Sequence, residues 1–310
     1  MEYIAVCLKG LEEIAEKEAK GKKILSGRIK FKDKPKNFKS INRVYKFIKL
    51  FEFSKQEDIL AEFKKIKNPL GKTKKFKVDC NREGNQDFKS VDVEKLMGVY
   101  LQKNSFELSF KEPEKVIIVD ILDNKCIFGL LIKDNLQKRE YRFKLNPDTL
   151  NPCIAYSALS LIKYKKNDIL VDPVCRDGII VIEAGLMKKG KVFGFEKNTR
   201  NARINSKIAK VDINLSENEI DWLDTKFKKN SVKITSYLPS VSKRNNEFDI
   251  KKLYSEIFHQ FKYIIKDYIA LIVRKNDLIR SYFTDFKLVK ELDVEVGADK
   301  FTIFVLKKNI

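Results

Sequence analysis

Residues 168–196 read DILVDPVCRDGIIVIEAGLMKKGKVFGFE, and this stretch decides the fold. A short apolar run, Ile169 to Val171, ends in Asp172. A turn holding Gly178 follows, then an apolar segment of helical length, Ile179 to Met187. A second strand pattern, Val192 to Phe195, closes on Glu196. A strand–turn–helix–strand unit with an acid on the second strand is how doubly wound α/β folds take a nucleotide-like cofactor, the acid meeting ribose hydroxyls. The blander reading of the same residues is a βαβ unit whose Asp172 and Glu196 merely end their strands.

Working outward, residues 151–310 alternate strand and helix patterns, with late strands at YIALIV (268–273) and KFTIFVLK (300–307). That alternation predicts a parallel-sheet domain. A polar connector precedes it, and Pro147 and Pro152 are expected to interrupt any helix there. Upstream lie two smaller αβ units. In residues 1–50, YIAVCL and GRIKF predict strands around a helix with Leu11, Ile14 and Ala15 on one face. In residues 51–135, FKVDC predicts a strand and Asn81 to Lys89 a polar loop. Ser90 is expected to cap a helix in which Val93, Leu96, Met97, Tyr100 and Leu101 recur at helical spacing. KVIIVDIL and CIFGLLI predict paired strands joined through Asp123, Asn124 and Lys125.

The chain of 310 residues carries 64 basic and 43 acidic side chains, a net charge of +21. The excess is even, +11 over residues 1–150 and +10 over 151–310, so it is not a tail. A lysine-rich solvated surface can produce this balance. A polyanion partner is the sharper reading, because phosphate contacts release counterions and dominate affinity. The five cysteines stand far apart, which predicts buried thiols in a reducing compartment with neither disulfides nor a zinc site. The single histidine, His259, falls in the amphipathic pattern KKLYSEIFHQFKYIIK and reads as a helix-surface residue. The chemistry is therefore expected to use neither metal nor imidazole. No leader pattern opens the sequence, and no apolar run nears the roughly 18 residues that span a bilayer. A cytoplasmic monomer without membrane contact is expected.

Three patches resemble one family. YIAVCLKGLEEIAEKE (3–18) is similar to the opening of THUMP-domain tRNA methyltransferases. FKVDCNREGNQDFKSVDVE (76–94) resembles the THUMP signature through Arg82, Gly84, Phe88 and Ser90, with Gln86 where many members carry His. KREYRFKLNPDTLNPCIAYSALSLI followed by LVDPVCRDGIIVIEA resembles the start of the methyltransferase domain and its Asp-Pro-x-Cys loop. The resemblance spans the chain. It implies an α/β protein with a ferredoxin-like subdomain (1–50), a THUMP RNA-binding domain (51–135), a linker (136–150) and a Rossmann-like seven-stranded methyltransferase domain (151–310). It further implies an S-adenosylmethionine-dependent enzyme that methylates the exocyclic amine of a guanine in tRNA.

By the same resemblance, Asp172, Pro173, Cys175, Arg176 and Gly178 form the cofactor loop. Glu196 takes the ribose hydroxyls and Asp221 the adenine amine, beside Ile220 or Trp222, although Trp222 alone reads more readily as core. Ser236, Tyr237 and Pro239 hold the base, and Arg82, Phe88, Arg139 and Arg142 meet RNA.

The sequence departs from the family at two places. Arg176, Asp177 and Ile179 stand where the family carries Gly, Ser and Thr. The arginine either obstructs the close approach that glycine permits or pairs with the cofactor carboxylate. Ser236 stands where Asn is expected, and Tyr237 precedes Leu238-Pro239 instead of following proline. Asn245 and Asn246 would need a rearranged loop to substitute. A second reading follows, a catalytically inactive methyltransferase-like tRNA-binding protein. A third, a nicotinamide-dependent reductase, lacks the G-x-G-x-x-G glycines.

Overall fold

The computed structural model describes residues 1–217, 220–243, 245–274 and 278–309, with Asp221 described by its backbone only. The chain forms two compact units, the first being Met1–Val6, Ala19–Lys36 and Arg43–Asn135. The second joins Leu136–Ile310 to the short segments Cys7–Glu18 and Asn37–Asn42.

The N-terminal elements run β1 (Tyr3–Cys7), α1 (Glu12–Ala19), β2 (Lys22–Leu25), β3 (Arg28–Phe31), β4 (Ile41–Glu52), α2 (Gln56–Lys64) and β5 (Lys75–Glu83). There follow α3 (Ser90–Lys103), β6 (Glu107–Leu108), β7 (Lys115–Leu122) and β8 (Lys125–Lys133). The strands make one eight-stranded sheet in the order β2-β3-β1-β4-β8-β7-β5-β6. The long β4 runs through position 50 and joins the two N-terminal segments within a single strand. The hairpin β7–β8 turns at Asp123 and Asn124, with Asp123 at φ +51°. The cap of α3 falls at Lys89, one residue before Ser90, and Asp92 supplies the acceptor at 2.8 Å from the Lys89 amide. Inside the unit, Arg28 and Asp120 form a buried pair at 2.6 Å that Tyr45 and Asn81 also hydrogen-bond.

The second unit contains α4 (Pro152–Leu161), β9 (Ile169–Asp172), α5 (Ile179–Met187), β10 (Lys191–Phe195), α6 (Arg200–Ala209) and β11 (Asn214–Ser216). After a 3-10 turn at Ile220–Trp222 come α7 (Leu223–Lys226), β12 (Val232–Tyr237), α8 (Glu247–Ile264) and β13 (Ile265–Val273). A second 3-10 turn at Ile279–Tyr282 leads to β14 (Phe286–Val296) and β15 (Asp299–Lys308). The seven strands order as β11-β10-β9-β12-β13-β15-β14. The first five are parallel, and β15 runs antiparallel to both β13 and β14. This is the expected Rossmann-like seven-stranded domain.

Pro152 does not end a helix; it opens α4 at the first position, where its missing N–H costs nothing, while Asn151 caps the turn through the Cys153 amide at 2.9 Å. One sheet face packs α4 and α5, the other packs α8 with Ile250, Ile257, Phe258 and Phe261 inward. Leu11 and Ile14 of the α1 segment join the α4–α5 core, although their position in the chain suggested the N-terminal subdomain. Gly10 explains the fit: at φ +91°, a Cβ there would meet the Asp293 carbonyl oxygen at 1.8 Å. His259 is exposed on α8, and all five cysteines are buried and none forms a disulfide. No described helix is long and apolar enough to cross a membrane.

Candidate active site

The sheet order sets the location. β10 lies on one side of β9 and β12 on the other, so the chain reverses its winding direction between β9 and β12. In open parallel sheets the crevice beyond the strand ends at such a switch point is where ligands bind. Val171 lies opposite Ile234, which brings the ends of β9 and β12 together.

Asp172 ends β9 and is 1% exposed. Two donors meet on its Oδ1, the Ser236 hydroxyl at 2.6 Å and the Val174 amide at 3.2 Å. Burial outweighs these bonds and pushes its carboxyl up to about 7. The loop from Pro173 to Gly178 then turns tightly. The Cys175 amide donates to the Phe195 carbonyl at 2.8 Å, and its thiol is buried, with its pKa raised by that burial. Arg176 sits at φ +52° and Gly178 at φ +86°. Glycine is at ease there, and a Cβ at Gly178 would also press on Ala202 at 3.0 Å. Gly178 caps α5, accepting from the Ile182 amide at 2.8 Å.

Glu196 follows β10 and reaches back to the loop, accepting from the Arg176 amide at 2.9 Å and the Lys197 amide at 3.0 Å. Each carboxylate oxygen keeps a further lone pair for a hydroxyl donor. A cavity of about 580 Å³ opens here, lined by Val174, Arg176, Glu196, Asn198, Pro239 and Asn245 together with residues 146–148, 200 and 201. Its size lies in the range of small-molecule sites. Loop, acid and strand end therefore surround one space, to which Glu196 offers carboxylate acceptors.

Arg176 lines that space and covers Tyr237. Its guanidinium pairs with Asp148 and lies over the Tyr237 ring, 4.2 Å from the ring centre. Tyr237 is otherwise buried against Phe301. Ser236, expected to hold a substrate amine, is fully buried and spends its hydroxyl on Asp172. Pro239 lines the cavity, and its carbonyl accepts from Tyr254 at 2.6 Å. Asp221 lies in the 3-10 turn, and its side chain falls outside the described residues. Trp222 is 60% exposed, so it is not the core residue its type suggested.

The RNA-facing expectations divide. Arg139 is turned inward: its Nε donates to Glu183 at 2.8 Å and its other nitrogens to the Leu136 and Lys39 carbonyls. Glu183 sits in the middle of α5, buried, and also accepts from Tyr141 at 2.7 Å. A carboxylate on that helix needs a partner, and Arg139 supplies it. Arg142 is half-buried. Arg82 holds its own turn, donating to the Gln86 side chain at 2.7 Å, and Gln86 in turn donates to the carbonyls of Glu83 and Asp123 at 2.9 Å. Phe88 is half-buried beside Phe53, ring centres 6.0 Å apart, on the wall of a cavity of about 610 Å³ in the first unit.

Sequence reasoning passed over Asn205 and set Asn245 aside for want of a rearranged loop. Asn205 of α6, fully buried, holds the amides of Phe143 and Lys144 at 3.3 and 2.9 Å and donates to the carbonyls of Lys144 and Asp177 at 2.7 and 2.9 Å. It thereby ties the connector to the loop between β9 and α5. Asn245 folds back to the cavity wall beside Pro239. Neither contact leaves a local signal in sequence. Among the described residues, no group of three or more His, Cys, Asp or Glu could hold a metal ion.

Residues 139–300 match the RMKL-like methyltransferase domain, and residues 54–131 match the THUMP domain. A tRNA (guanine(6)-N2)-methyltransferase of Methanocaldococcus jannaschii is 23% identical, aligned over 99% of this chain and 100% of that protein. The corresponding protein of Archaeoglobus fulgidus is 27% identical over 60% of this chain, and the match spans only 53% of its length, about half. The crystal structure of TrmN from Thermus thermophilus superposes with a TM-score of 0.81 at 18% identity, covering all of both chains.

Proposed function

We infer the function from one premise: this chain belongs to the RMKL-like methyltransferase family. On that premise the protein is an S-adenosylmethionine-dependent methyltransferase that acts on the exocyclic amine of a guanine in tRNA. The observation that carries this reading is the single cavity shared by the Arg176 loop, Glu196 and Pro239 at the switch point of the sheet. The THUMP match and the net charge of +21 support tRNA as the partner.

Residues 172–178, with Asp172, Pro173, Cys175, Arg176 and Gly178, would flank the methionine part of the cofactor. Glu196 would accept the ribose hydroxyls, and Asp221 the adenine amine. When bound, the cofactor would supply an activated methyl group on a sulfonium, with a neutral thioether as the leaving group. The protein's part is positioning, which can supply much of the rate for an in-line displacement between two bound reactants. The guanine would leave its stack and meet the end of β12, near Tyr237 and Pro239. The attacking amine loses one proton to water as the new N–C bond forms. Arg82, Phe88 and Arg142 are the candidates for RNA contact outside the cavity. We take the enzyme to be a cytoplasmic monomer, which light scattering of the purified protein tests for mass.

The decisive experiment incubates the protein with methyl-labelled cofactor and unmodified tRNA transcripts, then digests the product to nucleosides. N2-methylguanosine is the expected label. No incorporation, with tRNA still bound, would return the protein to the class of non-catalytic tRNA binders.

A further inference from the structure

With Ser236 committed to Asp172, a different acceptor must hold the amine hydrogens of the substrate, and the structure assigns that role to Asn245. This inference rests on the methyltransferase reading and names a catalytic residue within it.

Four asparagines line the cavity, and their bonds separate them. The Asn146 amide oxygen accepts from Asn201 at 3.0 Å, and the Asn198 oxygen accepts from the Arg200 amide at 3.0 Å. Asn146 and Asn201 are thus bonded to each other. Asn245 differs in two ways. It lines the cavity together with Pro239, which stands two residues beyond the end of β12 at Tyr237. Its side-chain NH₂ is anchored on the Ser240 carbonyl at 3.4 Å, so the group it can offer a ligand is its oxygen.

The loop is built to hold it there. The Asn245 amide donates to the Ser242 hydroxyl at 3.2 Å, and the Ser242 amide donates to the Asn245 carbonyl at 3.0 Å. This reciprocal pair holds Asn245 against Ser242. Asn246 follows as the cap of α8, accepting from the Asp249 amide at 2.9 Å, which fixes the exit of the loop. An amide oxygen held at the mouth of the strand accepts one hydrogen of a planar amine and turns the nitrogen lone pair toward the second reactant. Serine at position 236 could not do this, being shorter and inward.

The test measures three quantities on the full chain. Calorimetry with S-adenosylhomocysteine is expected to give the same Kd for wild type and Asn245→Ala. Methylation of tRNA is expected to fall about 100-fold in kcat, with KM for tRNA changed by less than about threefold. Asn245→Asp, which retains an acceptor oxygen, should recover at least a tenth of the wild-type kcat, on the order expected for a conserved acceptor. The third quantity is saturation-transfer NMR with guanosine and inosine monophosphates in the presence of S-adenosylhomocysteine, inosine lacking the exocyclic amine. Wild type should prefer guanosine, and Asn245→Ala should not.

If Asn245→Ala keeps its kcat, or loses cofactor affinity and kcat together, the assignment falls while the function above stands. If wild type methylates no tRNA yet prefers guanosine through Asn245, the function falls and the catalytic role with it, while the contact of Asn245 with the guanine amine stands. Equal signals from the two nucleotides on wild type overturn the assignment.

Discussion

The guanidinium carbon of Arg176 lies 4.2 Å from the centre of the Tyr237 ring, so a cation covers the aromatic side chain that ends β12. The same guanidinium is paired with Asp148 at the cavity wall. A base that is to stack on Tyr237 must displace it. Cation–π contact and a half-exposed ion pair together contribute about 1 kcal/mol of closure.

Arg176→Gly should therefore raise kcat/KM for tRNA about fivefold, the rate equivalent of that closure. Stability should change little, because glycine relieves the left-handed backbone at φ +52° while the two side-chain contacts are lost. Steady-state kinetics decide the matter. A fall in activity with a raised KM for S-adenosylmethionine would instead mean that the arginine holds the cofactor carboxylate.

Asp172 makes the fold pH-dependent in an unusual direction. Its folded pKa of about 7 lies above the ordinary 3.8, so the folded state binds a proton that the unfolded chain has released across that window. The stabilisation is complete below about pH 4 and is lost as pH rises toward 7, on the order of 4 kcal/mol in all. Asp172→Asn cannot ionise and should lose this dependence. Urea titrations of both proteins at pH 5 and pH 8 should show the variant gaining stability relative to wild type at the higher pH. A constant difference would refute the buried-acid account.

Glu196 accepts two backbone amides and is the acid expected on the ribose. Glu196→Ala should weaken S-adenosylhomocysteine roughly 30-fold, the loss of about 2 kcal/mol from bonds to a charged acceptor. Calorimetry measures it directly. Unchanged affinity would move the ribose elsewhere.

Arg139 offers a contrast between charge and contact. Arg139→Met leaves Glu183 buried without its cation and should cost about 3–5 kcal/mol in denaturant unfolding. tRNA affinity, measured where both proteins are folded, should not change, because the guanidinium already bonds Glu183, Leu136 and Lys39. A lower affinity at equal folded fraction would put Arg139 back on the RNA surface.

The legible parts of the sequence were the local ones. The βαβ unit from Ile169 to Glu196 could be read because burial on both faces leaves nearly continuous apolar runs. β4 was missed because INRVYKFIKLFE interleaves lysines with apolar residues, and most of its positions are only half-buried. The docking of Leu11 and Ile14 on the α4–α5 core follows from a contact far along the chain, which no periodicity encodes. Ser236 read as a ligand by position, yet its hydroxyl points at Asp172, a partner 64 residues away. Asn245 lay within view but needed the Ser242 fold-back to reach the cavity. Propensity and period report on neighbours, whereas the docking of Leu11 and Ile14 and the bond of Ser236 depended on partners far along the chain.

The five cysteines carry a practical consequence. Each is a buried thiol outside any disulfide, and burial raises the pKa of Cys80, Cys126, Cys153 and Cys175. They are divided between the two units, with Cys80 and Cys126 in one and Cys7, Cys153 and Cys175 in the other. A thiol-reactive dye added to the native protein therefore reports opening, since only an unfolded segment can react. Peptide mapping of the labelled cysteines would then tell which half of the molecule opens first, without any engineered probe.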